Sequence, residues 1–300
     1  MDIFFSGLKT KTIAAGIALL SCIAMLVLPQ AAILSAQKGI ALWASSVFPA
    51  LFPFFICANF LNRLGAIDRL NPAAFAFSMS VMSGYPVGAK IIRDLRVRDQ
   101  ISLRDAKRLI AFCSTSGPTF MLGAVGIGML GSLKAGIIVS ACHYLGAILN
   151  GIVFSARGGR IRGKHNISTA IAHLLTEAIL DALKSMGIIL AYIVLFMFAT
   201  DLIQFSGFLN LFENIYLRIA IKGIFEMTVG CSAVAYTAVT LEAKTVMCAM
   251  LISFSGISII GQSLSMLSGS GISGGYFLLT KISHAFWAGI LALGAVCIFM

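Results

Sequence analysis

Two apolar segments of membrane length are each interrupted at the middle by small and polar residues. The segment 109–130 is broken between Ser114 and Pro118, and the segment 251–267 is interrupted at Ser253, Ser255-Gly256, Ser258 and Gln262. Unwound backbone at bilayer depth is tolerated only where protein buries it or a polar cavity solvates it, because lipid offers no hydrogen bonds. In transporters, interruptions at matching positions of two halves mark a binding site near the midplane. The pattern therefore predicts a transporter built around two broken helices.

The two breaks belong to a wider internal similarity. Leu109-Ile-Ala-Phe112 resembles Leu251-Ile-Ser-Phe254 at an offset of 251 − 109 = 142 residues. The same offset places Val87-Gly88 on Val229-Gly230. Identities between apolar sequences are individually weak, and only their constant offset carries weight. We therefore expect an internal repeat.

The composition is that of an integral membrane protein. Hydrophobic residues make up 59% of the chain, charged residues only 11%, and the mean hydropathy is +0.98. These values lie far outside the range of soluble domains. The net charge of +11 is the excess of Lys and Arg expected on the cytoplasmic side of such a protein, and aromatic interleaving typical of nucleic-acid binding is absent.

Enzymatic and metal-binding chemistry find no support in the sequence. No HExxH, GxSxG or Walker motif occurs, and the seven cysteines lie in apolar stretches without zinc-site spacing. The carboxylates of Glu177 and Asp181 share a helical face but have no metal-binding partner in sequence. We therefore expect that the protein is not an enzyme and that it has no catalytic residue, no metal site and no cofactor. A membrane enzyme with Cys113 or Ser116 as nucleophile is the alternative, and the sequence offers no obvious base for it.

Basic residues determine the predicted topology, because Lys and Arg in short loops are retained in the cytoplasm. The N-terminus is placed inside, with 12–28 as a first membrane helix in preference to a cleaved signal peptide. Seven basic residues between Lys90 and Arg108 stay inside only if 72–89 is a re-entrant hairpin. Its turn falls at Ser83 to Pro86, where Gly and Pro permit a tight reversal.

The same rule inverts the second half. Here 209–239 forms a second hairpin entering from outside, and 275–299 leaves Lys281 near the inner face. His143 and His284 fall near the ends of their helices and are assigned to packing. The predicted units are an N-terminal membrane helix, a first repeat, a basic cytoplasmic connector with an amphipathic helix, and a second, inverted repeat, covering 1–35, 36–156, 157–181 and 182–300.

Candidate substrate-binding residues surround the hairpin turn and the two breaks. Hydroxyls, a phenol, an amide and freed backbone groups at these places can hydrogen-bond a polar substrate, although small polar residues also serve helix packing. Pro118 disrupts the helical bond to the carbonyl of Ser114 and leaves an acceptor free. The predicted substrate-binding set is Ser83, Gly84, Tyr85, Ser114, Thr115, Ser116, Thr119, Ser255, Ser258 and Gln262, and the residues that permit the breaks are Pro86, Gly117, Pro118 and Gly256.

Glu226 is the candidate coupling residue. The 142-residue offset places it opposite Gly84, at the tip of the second hairpin. An ionisable group at bilayer depth costs about 2.5–3.5 kcal/mol on insertion scales and usually marks function. A carboxylate there can bind a coupling cation or carry a proton. An intrahelical ion pair with Lys222, four residues earlier, is the alternative.

Three motifs in order along the chain resemble one known family. They are Gly39 to Trp43 followed by Val47 to Phe55, then Ser83 to Lys90, then Arg108 to Pro118. They resemble the YlbJ-type sporulation integral membrane proteins, which carry the nucleoside-recognition (Gate) domain. The resemblance implies a polytopic protein of spore-forming Firmicutes, similar in architecture to concentrative nucleoside transporters and linked to the movement of dipicolinate during spore formation.

The predicted fold is an all-α polytopic membrane protein, an inverted repeat with broken transmembrane helices and two re-entrant hairpins. The predicted function is secondary transport of a small polar or anionic metabolite across the cytoplasmic or forespore-associated membrane, with dipicolinate favoured by the resemblance. A nucleoside transporter and a non-transporting membrane scaffold of spore formation are the alternatives. The expected partners are a small-molecule substrate and the lipid bilayer, with Na⁺ or H⁺ as the coupling ion and no nucleic acid, and a homo-oligomer is left open.

Overall fold

The computed structural model describes residues 2–64, 72–154 and 171–300, and within them every regular element is a helix. The predicted all-α class is therefore confirmed. In chain order the elements are α1 (Asp2–Val27), α2 (Pro29–Leu42), the π-helix π1 (Trp43–Val47), α3 (Phe48–Arg63), α4 (Pro72–Ser83), α5 (Val87–Val97), α6 (Leu103–Phe112), the π-helix π2 (Thr119–Met129), α7 (Leu133–Val153), α8 (Ile171–Phe205), a 3₁₀ turn (Phe208–Leu211), α9 (Ile215–Phe225), α10 (Met227–Ala235), α11 (Leu241–Phe254), α12 (Gly256–Met266) and α13 (Gly274–Phe299).

Several of these helices have the length and composition to cross a membrane. Among the described residues, four spans qualify, and a fifth is added if the pair 15–27 and 29–45, bent by 107°, counts as one. The four spans are α7, α8, the broken helix α11–α12 and α13. About 20 apolar residues cross the hydrocarbon core. The polytopic membrane class is therefore confirmed, and α4 and π2 are shorter apolar helices.

Large apolar side chains cover much of the outer surface. Leu20 and Leu26 on α1 are 67% and 82% exposed, and Leu293 on α13 is 56% exposed. A soluble monomer rarely exposes extended apolar surface of this kind. These faces are suited to contact lipid, while the polar residues described below are buried inside.

Helix ends recur at the offset of the internal similarity. Ser83 ends α4 and Phe225 ends α9, and Phe112 ends α6 and Phe254 ends α11, so both pairs stand 142 residues apart (254 − 112 = 142). Each half thus contains a helical hairpin followed by a broken helix. The opposite membrane orientation of the two halves stays a prediction.

Two of the predicted boundaries between units fall inside continuous helices. Residues 171–181, placed in the connector, begin the single helix α8, which runs on to Phe205. The remainder of that connector, 157–170, lies outside the described residues. At the N-terminus, α2 continues through the predicted boundary at residue 35, and the chain bends instead at Leu28.

Long helices hold the broken segments in place. Helix α13 packs against α7 and α11, and α8 packs against α2 and α3. Between α7 and α13, a Cβ atom added to Gly146 would lie 3.0 Å from the backbone nitrogen of Ala288. This small-residue contact brings the middles of α7 and α13 together, as in many membrane helix pairs.

Candidate functional site

The turn of the first hairpin rests directly on the first helix break. Gly84 has φ +78°, in the left-handed region that favours glycine. A Cβ atom at this position would lie 2.7 Å from the backbone nitrogen of Gly117. The chain is non-helical at 84–86 and again at 113–117. Only a residue without a side chain fits Gly84, so the hairpin tip and the break form one contact.

The second hairpin and the second break make a corresponding contact. Ser255 and Gly256 both have φ +74°, which ends α11 and starts α12. A Cβ atom on Gly256 would lie 3.0 Å from the backbone nitrogen of Met227 and 3.4 Å from the Cα of Glu226. The tip predicted from the sequence offset therefore lies against the break predicted from composition.

Tyr85 joins the two halves. Its hydroxyl donates a hydrogen bond of 3.1 Å to the carbonyl of Ile252, in the last turn of α11. The tip of the first hairpin therefore contacts both the first break and the end of α11, just before the second break. Through these contacts both hairpins and both breaks form one continuous region.

A buried lysine lies in this region. Lys281 on α13 is 1% exposed, and its Nζ donates to the carbonyl of Ser114 at 2.9 Å and to the hydroxyl of Tyr85 at 3.0 Å. The same Nζ lies 4.5 Å from the centre of the Tyr85 ring, within cation–π distance. Within the described residues, no carboxylate lies at ion-pair distance from it. The sequence places Lys281 near the inner face of the membrane, and the structure encloses its side chain in protein.

Two histidines stand beside this lysine. The backbone N–H of Ser116 donates to His143 Nε2 at 2.9 Å, so a neutral His143 carries its hydrogen on Nδ1 and donates it to Ser253 Oγ, 2.8 Å away. His284 Nε2 donates to the carbonyl of His143 at 2.8 Å, and the two rings lie 4.7 Å apart between centroids. His143 therefore connects the first break to the second broken helix.

The predicted position of these histidines is wrong. Each is the eleventh residue of its helix, in helices of 21 and 26 residues, so neither lies near a helix end. Both are fully buried, at 0% exposure for His143 and 1% for His284. The sequence predicts only a packing role for these histidines. Their hydrogen bonds at the breaks show that they also organise the site.

The predicted hydroxyl residues of the first half differ in burial and in hydrogen bonding. Thr115 lies 2.9 Å from Ser80 of α4 between hydroxyl oxygens, and Ser116 accepts at its carbonyl from the hydroxyl of Tyr144 at 2.9 Å. Ser114, Thr115 and Ser116 are buried, whereas Thr119 is exposed at the start of π2. Ser83 Oγ at the hairpin turn is buried and has no hydrogen-bond partner among the described residues.

In the second half, the predicted polar residues follow the break on α12. Ser258 and Gln262 are 3% and 5% exposed, and the Gln262 amide donates to Ser258 Oγ at 3.4 Å. Ser255 is fully buried, and its hydroxyl turns back to the carbonyl of Phe254. Ser263 Oγ is buried without a partner among the described residues. This half therefore also presents buried polar groups next to its break.

Glu226 caps a helix at the second tip. Its Oε2 accepts a hydrogen bond of 2.7 Å from the backbone N–H of Val229, at the start of α10. No salt bridge joins it to Lys222, so the alternative of an intrahelical ion pair is not realised in the structure. Capping by a carboxylate at a helix N-terminus is favourable and fixes this side chain in place.

The carboxylates of Glu177 and Asp181 take part in ion pairing away from the breaks. Arg63 at the end of α3 contacts both, with 2.7 Å between its Nη2 and Asp181 Oδ2. In the described parts of the chain, no cluster of three His, Cys, Asp or Glu residues could hold a metal ion. The pair therefore joins α3 to α8.

Sequence reasoning missed Lys281 although a signal was present. An ionisable residue within an apolar membrane helix is a candidate functional residue by default. Lys281 satisfies that rule as well as Glu226 does, since α13 contains no other Lys, Arg, Asp or Glu. The positive-inside rule places Lys281 near the inner face, whereas the packing of α13 against the breaks encloses its side chain.

Comparison with known proteins identifies one relative. The chain is similar to the sporulation integral membrane protein YlbJ of Bacillus subtilis (strain 168), with 27% identity over 316 aligned residues that cover 88% of this chain and 78% of the relative. No family model matches the chain, and no solved structure matches it. The similarity confirms the resemblance to YlbJ-type proteins and, with the apolar helices, a multi-pass membrane protein. The Gate domain stays a prediction.

Proposed function

We propose that this YlbJ-like integral membrane protein is a secondary transporter of a small anionic metabolite. The substrate binds where the two hairpin tips meet the two helix breaks. Lys281 supplies positive charge, Tyr85 holds the lysine in place, and Ser83 and the hydroxyls of the breaks supply hydrogen bonds. Broken helices that meet at a central site are the arrangement in which one set of elements can rock around a fixed binding place.

The observation that carries this proposal is a buried lysine that meets no carboxylate among the residues that the structure describes. Burying an ammonium group is expensive unless it is paired, and within a membrane such residues usually serve a substrate or ion pathway. Lys281 has two oxygen partners, the carbonyl of Ser114 and the hydroxyl of Tyr85, and neither carries a formal negative charge. An anionic substrate supplies the missing negative charge.

The same observation separates the proposed substrate classes. A nucleoside is neutral and gains no ion pair from Lys281, whereas a carboxylate gains a charge-assisted hydrogen bond. Dipicolinate, favoured by the family resemblance, is a small aromatic dicarboxylate. The ring and hydroxyl of Tyr85 lie next to the Lys281 amino group. We place this activity in the cytoplasmic or forespore-associated membrane, with the N-terminus in the cytoplasm.

Coupling to an ion gradient is assigned to Glu226. It lies at the tip that contacts the second break, where a change in its protonation or ion binding would act directly on the Gly256 contact. Protonation would also weaken its cap on α10, because the neutral acid is a poorer acceptor for the Val229 N–H. The tip can thereby respond to the coupling ion.

Uptake into proteoliposomes tests the proposal. Dipicolinate should enter liposomes that contain the purified protein, and an imposed ion gradient should stimulate this uptake. A Lys281→Met variant, which keeps a linear side chain but loses the charge, should lose most of this uptake. The matched control is Lys184→Met, since Lys184 is exposed on α8 and should be dispensable.

The other outcomes discriminate between the alternatives. Uptake of nucleosides that persists in Lys281→Met would retain a transporter but reject the anionic substrate. Absence of any uptake by folded protein, verified by its thermal unfolding, would favour the membrane scaffold. Uptake that is equal in wild type and Lys281→Met would contradict the role of the lysine.

A further inference from the structure

The ammonium group of Lys281 lies where two broken helices end. Its Nζ is 2.9 Å from the carbonyl of Ser114, two residues beyond the last helical residue of α6. It reaches the end of α11 through Tyr85, whose hydroxyl accepts from the lysine and donates to the carbonyl of Ile252. The Lys281 amino group therefore contacts the carboxyl-terminal end of α6 directly and that of α11 through the Tyr85 hydroxyl.

Such a position offers oxygens of the kind that coordinate sodium. The last carbonyls of a helix lack intrahelical partners and carry the negative end of the helix dipole. In transporters with discontinuous helices, unwound carbonyls and the carboxyl-terminal ends of half-helices are the groups that coordinate Na⁺. Here the oxygens of Ser114 and Tyr85 contact the amino group of Lys281.

We infer that the Lys281 ammonium replaces a bound Na⁺, so that neither the folding of the site nor transport requires sodium. The part of this inference that concerns transport rests on the proposed function. The part that concerns the cation site does not, because its occupancy is measurable without a substrate. The inference also bears on where a coupling ion can bind, because Lys281 occupies the oxygens of Ser114 and Tyr85 and leaves Glu226 as the candidate coupling residue.

The surroundings of the ammonium group fit this replacement. The ionisable side chains near it are Tyr85 from the first hairpin, His143 from α7 and His284 one turn further along α13. A neutral histidine or tyrosine does not balance a cation. Among the described residues, the hydrogen-bond partners of Lys281 Nζ are one carbonyl and one hydroxyl oxygen. A sodium ion is stabilised by the same kind of oxygen.

The test is the thermal unfolding of purified protein in detergent, in NaCl and in KCl at equal ionic strength. The Tm of the wild type should be the same in both salts. Lys281→Ser removes the cation and leaves the oxygens, and its Tm should rise saturably with Na⁺ relative to K⁺, because binding to the folded state alone stabilises it. Lys184→Ser should show no difference between the salts.

Two results would overturn the inference. One is a folded Lys281→Ser protein whose Tm is the same in both salts at all concentrations. The other is a wild-type Tm that rises saturably with Na⁺, and this measurement decides the matter even where the Ser variant does not fold. Neither readout involves substrate, so a failure of the proposed transport activity would be seen separately, as absent uptake.

Discussion

Replacing Gly84 by alanine would separate the first hairpin tip from the first helix break. Two penalties arise at this residue. Its φ of +78° is a conformation that an L-residue adopts at a cost of about 1–2 kcal/mol. The added Cβ atom would lie 2.7 Å from the backbone nitrogen of Gly117, so a backbone segment and not a flexible side chain must move.

The expected loss of stability is about 2–5 kcal/mol. The backbone conformation contributes about 1–2 kcal/mol, and forcing extra volume into a packed site typically contributes about 1–3 kcal/mol. Displacement of Gly117 would also move Ser114 to Ser116, whose backbone groups contact Lys281 and His143. We therefore expect Gly84→Ala to lower transport beyond its effect on the amount of folded protein.

Two other glycines separate the contributions. Gly269→Ala shares the positive φ, at +82°, but its Cβ atom would meet nothing within 4 Å, and Gly187→Ala in α8 has neither penalty. The free energy of unfolding in mixed detergent micelles should fall by about 1–2 kcal/mol for Gly269→Ala and should not fall for Gly187→Ala. If Gly84→Ala loses no more stability than Gly269→Ala, the contact between tip and break does not exist as described.

Three further changes probe the polar contacts. His143→Ala removes the acceptor of the buried Ser116 N–H and should cost about 1–3 kcal/mol of unfolding free energy in a denaturation curve, whereas alanine at the exposed His173 should be neutral. Arg63→Met should cost about 1 kcal/mol or less by the same measurement, since its carboxylate partners are 41% and 45% exposed. Glu226→Gln should abolish stimulation of proteoliposome uptake by an ion gradient while changing the Tm only slightly, and unchanged stimulation would remove the residue from coupling.

Local features of the chain are well predicted from sequence. The chain leaves the helix at 113–117 and at Ser255 and turns at Gly84, where glycine, proline and hydroxyl residues disfavour a continuous helix, whereas Ser258 and Gln262 of the predicted second interruption lie within α12. The membrane class follows equally directly from hydropathy, since only helices can satisfy the backbone of a long apolar chain within lipid. The spacing of 142 residues also reappears, as matched helix ends.

The partners of the polar groups were decided by tertiary structure. Lys281 and Ser114 are 167 residues apart in sequence and 2.9 Å apart in space, and His143 and Ser253 are 110 residues apart and 2.8 Å apart. No periodicity or motif encodes such distances, since they depend on how α7, α11 and α13 pack. The sequence alone determined a membrane protein with two interrupted helices, because breaks and hydropathy are properties of neighbouring residues. Only the packing of distant helices enclosed Lys281 and joined both breaks into one site.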